Sequence, residues 1–277
     1  MLDQPQKNLA RLVWMCTEAY ATPGSYTGMN ITIDLTSQQG RWELVVLALL
    51  LAARISESVV ERTFHLLRES GLLEFERVLK QRLADVAQTQ DILQAEYRAL
   101  INRNRKVMAI YANAKWLAEH HQGDIQHIYE SCFKVTSQAG EEAAGMTKAE
   151  IAAAAGELTQ RLRQLHQIDS RARWMCRVMR EAEVWPLVPV QATVYFDRHV
   201  RCVLQRQGLI TTGQLQDQLQ DAEEVIERLF DGDTIGLSRL GRFVCQKHDP
   251  LLCEDKCGLY EYCSYRQTAP EQNGLAP

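Results

Sequence analysis

From residue 42 onward the apolar positions recur at helical spacing, and no run alternates strictly for long enough to make a strand. The stretch WELVVLALLLAARI (42–55) is apolar on every side, the pattern of a helix buried all round. SESVVERTFHLLRESG (56–71) follows as a helix with a serine start and a glycine stop. Further helices are predicted over LEFERVLKQRLADV (73–86), over 93–100 and over RNRKVMAIYANAKWLAEHHQG (103–123). A segment rich in Ala, Gly and Glu (139–156) passes from a loop into a helix running from Lys148 to about Gln164. LHQID (165–169) interrupts, and a second helix runs from Ser170 to about Glu183. WPLVPV (185–190) breaks the chain with two prolines, Asp197 opens the helix DRHVRCVLQRQG (197–208), and another helical stretch covers 215–230. A short amphipathic helix at 4–19 with a Gly, Pro and Ser loop at 22–40 precedes all of this, and residues 264–277 read as a disordered tail. The expected fold class is all-α.

With 46% hydrophobic and 24% charged residues, the 277-residue chain has the balance of a folded protein. Its longest apolar run, residues 44–53, is about half the roughly 20 residues a membrane span needs. The opening MLDQPQKNLARLVWM lacks the basic start and apolar stretch of a secretory signal, which predicts a cytoplasmic protein.

The formal charge of −4 argues against a nucleic-acid partner, but its distribution argues for one. Residues 97–115 carry five bases and no acid, and residues 161–206 carry nine arginines against four acids, so each stretch nets +5. Basic charge concentrated in this way suits a phosphate-binding face; solvated helix faces are the alternative.

Four of the eight cysteines, Cys16, Cys132, Cys176 and Cys202, are scattered in apolar or helical contexts and read as plain buried thiols. The other four lie in CQKHDPLLCEDKCGLYEYC: Cys245, Cys253, Cys257 and Cys263, spaced C-x7-C-x3-C-x5-C. A reducing compartment disfavours disulfides, so a metal is the natural reading. Zinc sites usually bring two close pairs from separate hairpins. One irregular loop with four thiolates suits a [4Fe-4S] cluster, with zinc as the alternative. His248, inside the first gap, reads as a loop residue.

The buried helix WELVVLALLLAARISES, the basic helix RNRKVMAIYANAKWLAEHHQGDI, the segment VPVQATVYFDRHVRCVL and the terminal four-cysteine loop together resemble the endonuclease III branch of the helix-hairpin-helix DNA glycosylases, over about residues 42–263. The resemblance implies two lobes with DNA across the cleft between them. One lobe would comprise residues 41–184, with a degenerate hairpin at about 148–183. The other would unite residues 1–40 with the helical part 185–244 and the cluster loop 245–263. It implies a monomer acting on double-stranded DNA that contains a damaged or modified base, with no membrane partner.

The same resemblance gives Asp197 the role of stabilising the sugar cation as a flipped-out base leaves. A helix N-cap is the plainer reading of that carboxylate. It places Arg54 at the turn whose side chain fills the gap left by the flipped base, and makes Arg103, Arg105, Lys106, Arg171, Arg173, Arg198, His199 and Arg201 the expected DNA contacts. Two departures matter. LHQID lacks the glycines that let hairpin backbone approach a phosphate. Ser170, Arg171, Ala172 and Arg173 stand where bifunctional members carry a lysine, and arginine stays protonated, so Schiff-base lyase chemistry is not expected. Two functions follow: a monofunctional DNA N-glycosylase, or a non-catalytic iron–sulfur DNA-binding protein on the same scaffold.

Overall fold

The structure, a computed structural model, describes residues 29–51, 55–96, 103–135, 146–169, 171–193 and 198–210, with positions 225–226, 237, 240–241, 245 and 263. Among these residues there are ten helices and no strand, so the fold is all-α. The helix expected at 4–19, most of the one expected at 215–230 and the tail lie outside the described residues. The chain divides into two compact units, Gly24–Thr193 and a second that joins Met1–Pro23 to Val194–Pro277. No described helix is long and apolar enough to cross a membrane.

The first unit is organised around α1, Gln38–Leu50. Its residues Trp42 and Leu44 through Leu50 are all buried, as an apolar helix without a polar face requires. Ser37 starts it, its hydroxyl accepting from the Gly40 amide at 3.0 Å. Gly40 is obligatory there: a Cβ would stand 1.7 Å from the Asp34 carbonyl oxygen. Arg41 then reaches sideways. Its guanidinium donates to both carboxylate oxygens of Asp124, at 2.8 and 2.5 Å, and to the carbonyls of Leu35 and Thr36. Asp124 also accepts from the Gln126 amide at 2.9 Å, which starts the short helix α6.

Around α1 pack α2 (Glu57–Glu69), α5 (Arg103–His121) and α8 (Arg171–Glu181). The single helix expected over 73–86 is divided into α3 (Phe75–Leu79) and α4 (Leu83–Glu96). Gln81 adopts a left-handed φ of 45° at the break, and Arg77 spans it to hold Asp85 at 2.8 Å. α4 therefore runs through the expected start at 93. α6 (Gln126–Phe133) was not expected, although Ile125, Ile128, Tyr129, Cys132 and Phe133 recur at helical spacing and are all buried; it packs on α7 (Lys148–Leu162). The WPLVPV passage leads to a single turn, α9 (Val190–Thr193), and is pinned by Trp185. That ring stacks on Tyr129 at 5.3 Å, and its indole N–H donates to Gln126 at 2.8 Å.

The C-terminal end of α1 corrects one sequence expectation. Lys106, expected on a DNA-facing surface, is 4% exposed, and its Nζ donates to the Leu49 carbonyl oxygen. The last carbonyls of a helix have no partner within it, and at this buried end an ammonium from α5 takes the place of water. Burial, and secondarily the charge of Arg171, push the Lys106 pKa down to about 7. The unfolded chain then holds the proton to a higher pH than the folded one, so this group's contribution to stability rises as pH climbs from about 7 towards the unfolded pKa near 10.4. Lys106→Met removes that dependence. In denaturant unfolding at pH 7 and pH 9, the stability difference between wild type and Lys106→Met is expected to move by about 2 kcal/mol in favour of wild type. A difference independent of pH would show that Lys106 keeps an ordinary pKa.

Candidate functional site

α7 and α8 form a helical hairpin. Thr147 and Glu150 close a reciprocal capping box at the start of α7, which buries Ala154, Ala155, Leu158 and Leu162 and packs on both α6 and α8. The turn between them buries Leu165 and Ile168 and exposes His166, Gln167 and Asp169. Its backbone is left-handed at Gln167 (φ 62°) and at Asp169 (φ 37°). These are conformations that glycine adopts freely and that side-chain-bearing residues adopt at a cost, with Asp more tolerant than Gln. LHQID thus makes a glycine-type turn without glycine. The turn is held by its amides, Ile168 to Leu165 at 3.3 Å and Arg171 to Ile168 at 2.8 Å, and by an asparagine from α5. Asn113, wholly buried, accepts from the His166 amide at 2.6 Å and donates to the His166 carbonyl at 3.1 Å.

α5 and this turn enclose an open groove of about 390 Å³ lined by Asn104, Arg105, Met108, Ala109, Ala112, His166 and Gln167. Met108 is 63% exposed. The sequence-predicted contacts fall into three groups here. Arg105 is exposed beside the turn, and Arg171 and Arg173, half-buried, open α8. Arg103 begins α5, its side chain outside the described residues. Lys106 leaves the surface for the core. Arg54 lies outside the described residues. Asn113 was missed, although a lone amide between Ala112 and Ala114 on a buried helix face is a signal the sequence carries.

In the second unit, α10 spans Arg198–Arg206. Asp197, the residue before it, is outside the described residues, as is the Arg198 side chain. His199 is buried rather than exposed, which corrects its expected place among the DNA contacts. It packs where Gly241 comes close enough that a Cβ there would meet the His199 carbonyl oxygen at 2.3 Å. Arg201 is half-exposed.

Of the four loop cysteines, Cys245 and Cys263 are described, the first buried and the second half-buried. They meet the same residue, Arg206: its guanidinium donates to the Cys245 carbonyl, and the Cys263 thiol donates to the Arg206 carbonyl at 3.8 Å. The two ends of the loop therefore bear on one residue, one at its side chain and the other at its main chain, a closure that would let a short loop wrap a metal group. Cys253 and Cys257 lie outside the described residues, among which no three ligating side chains converge. Burial pushes the thiols of Cys132 and Cys202 up, and that of Cys176 up to about 12, consistent with packing roles.

The clamp on the hairpin is testable by itself. Asn113→Ala leaves the His166 amide and carbonyl without their partner, and is expected to cost about 1–3 kcal/mol in denaturant unfolding. The loss should be accompanied by faster amide exchange confined to the 164–169 turn. Exchange unchanged in that turn would mean that its own amides suffice to hold it.

No family model matches the chain, and no curated protein or solved structure matches it either.

Proposed function

We propose that the chain is a monofunctional DNA N-glycosylase that flips a damaged or modified base out of duplex DNA and hydrolyses its bond to the sugar. The observation that carries this reading is the α7–α8 hairpin, whose turn is left-handed at Gln167 and Asp169, a conformation that glycine adopts freely and that a hairpin turn approaching a phosphate would use. The division into two units, with the chain's beginning and end in one of them, supports it further. The exposed Arg105 beside the turn supplies part of the positive charge that the reading needs.

On this reading the Asp197 carboxylate faces the sugar of the extruded nucleotide, stabilises the cation that develops as the base leaves, and directs a water onto the sugar carbon. Arg54 fills the gap in the stack. Arg103, Arg105, Arg171, Arg173, Arg198 and Arg201 contact the backbone. Cys245, Cys253, Cys257 and Cys263 hold a [4Fe-4S] cluster, which when bound contributes folding free energy to the loop. Asp197 acts on the sugar directly, and no amine is needed.

A second reading has its own observation. Asp169 places an exposed carboxylate on the turn, and Gln167 a long side chain where glycine would leave the backbone bare, so close approach of a phosphate is opposed at both positions. The turn thus departs from the glycine-rich hairpin of the glycosylases, which favours a divergent scaffold that binds DNA through its arginines, without chemistry.

Protein purified without oxygen is expected to be brown, with close to four irons per chain; zinc in their place would remove the cluster from the proposal. A panel of duplexes, each carrying one modified base, decides between the two functions by release of free base. Where a base is released, Asp197→Asn should preserve stability, since asparagine also caps helices, and lower the release rate by about 100-fold or more. Salt-sensitive binding with no base released from any duplex selects the non-catalytic reading.

A further inference from the structure

Arg206 is 9% exposed, and arginine is almost never buried this deeply without partners. Its surroundings explain the burial. The end of α10 is closed by Gly208 in the left-handed conformation (φ 66°), with the Leu209 amide donating to Leu204 at 2.9 Å, the Gly208 amide to Gln205 at 3.0 Å and the Gln207 amide to Val203 at 3.0 Å. These bonds satisfy the carbonyls of residues 203, 204 and 205 and leave that of Arg206 to turn outward. It accepts from the Cys263 thiol, while the guanidinium of the same residue donates to the carbonyl of Cys245. The first and last cysteines of the loop are thus tied to one residue by two bonds of opposite sense.

Resting on the reading of the cysteine loop as a metal site, we propose that Arg206 is a positioning residue that fastens the loop to α10, so that metal in the loop orders the helix that starts directly after Asp197. Arg206 is the junction: its guanidinium holds the main chain at Cys245 and its carbonyl meets Cys263, so both ends of the loop bear on one residue of α10. A lysine there could donate to the Cys245 carbonyl but lacks the planar fork that fixes direction.

The experiment uses the full chain purified anaerobically, with Arg206→Met, Arg206→Lys and, as a control on the same helix, Gln205→Ala. Iron release to a chelator is expected to be about 10- to 100-fold faster for Arg206→Met than for wild type, intermediate for Arg206→Lys, and unchanged for Gln205→Ala. Amide exchange across residues 198–206 reads the coupling. Stripping iron from wild type should raise it, whereas in Arg206→Met the same amides should exchange at one rate with or without iron. Release and exchange like wild type in Arg206→Met overturn the proposal. If that variant gives no soluble protein, Arg206→Lys decides: release as slow as wild type overturns the proposal, and faster release supports it. A wild-type protein without bound iron overturns the metal reading and the proposal with it, an outcome distinct from iron held equally well by wild type and variant.

Discussion

A helix with no polar face can be buried on every side, but its two ends cannot be buried without partners. α1 meets this constraint twice. At its N-terminal end the Ser37 hydroxyl accepts from the Gly40 amide while Arg41 beside it forms a two-pronged pair with Asp124, both side chains largely buried, and at its C-terminal end Lys106 caps the Leu49 carbonyl. Removing one member of a buried ion pair typically costs about 3–5 kcal/mol, because the other charge is left without compensation. The rest of the unit is arranged by where those partners come from. Asp124 sits at the corner between α5 and α6, and Lys106 lies near the start of α5, so α5 is held alongside α1 over most of its length.

The same helix then governs the candidate interface. Lys106, Ile110, Asn113 and Leu117 fall on one buried stripe of α5, at spacings of four, three and four residues. One member caps α1, another clamps the hairpin turn, and two supply apolar packing. Asn104, Arg105, Met108 and Lys115 are on the exposed side. The hairpin is consequently positioned by a residue whose own place is set by the buried helix. A change in α1 packing would reach the turn through α5 without touching it.

Much of this was legible in the sequence. Continuous apolar character marked α1, the Thr147 and Glu150 pair lies at the start of a helix expected from Lys148, and the expected boundaries of α7 and α8 fall within two residues of those observed. Charge was read less well, because a basic run was treated as one face. Lys106 is in register with Ile110 and Leu117, and that periodicity, rather than its charge, assigns it to the core. The break between α3 and α4 was hidden because it depends on Gln81 adopting a left-handed conformation and on Arg77 reaching Asp85, neither of which has a local signature. Arg206 was invisible for a similar reason: its partners Cys245 and Cys263 lie 39 and 57 residues away.

The hairpin turn carries the functional argument furthest, because it separates conformation from composition. A glycine turn combines a left-handed backbone with bare amides, and here the first is present without the second. On the proposed reading, a DNA strand at this turn would be met through the His166 and Gln167 side chains, with peptide N–H groups held at a greater distance by the added atoms. Flexible neutral side chains hold a phosphate less firmly than a ring of fixed amides, and the Asp169 carboxylate repels it. The attraction must then come from cations nearby, of which Arg105 and Arg163 are exposed. Binding that relies on such cations is dominated by counterion release, which makes it tolerant of sequence and sensitive to salt. Selectivity for one altered base would therefore have to arise at the extruded nucleotide and not at the hairpin.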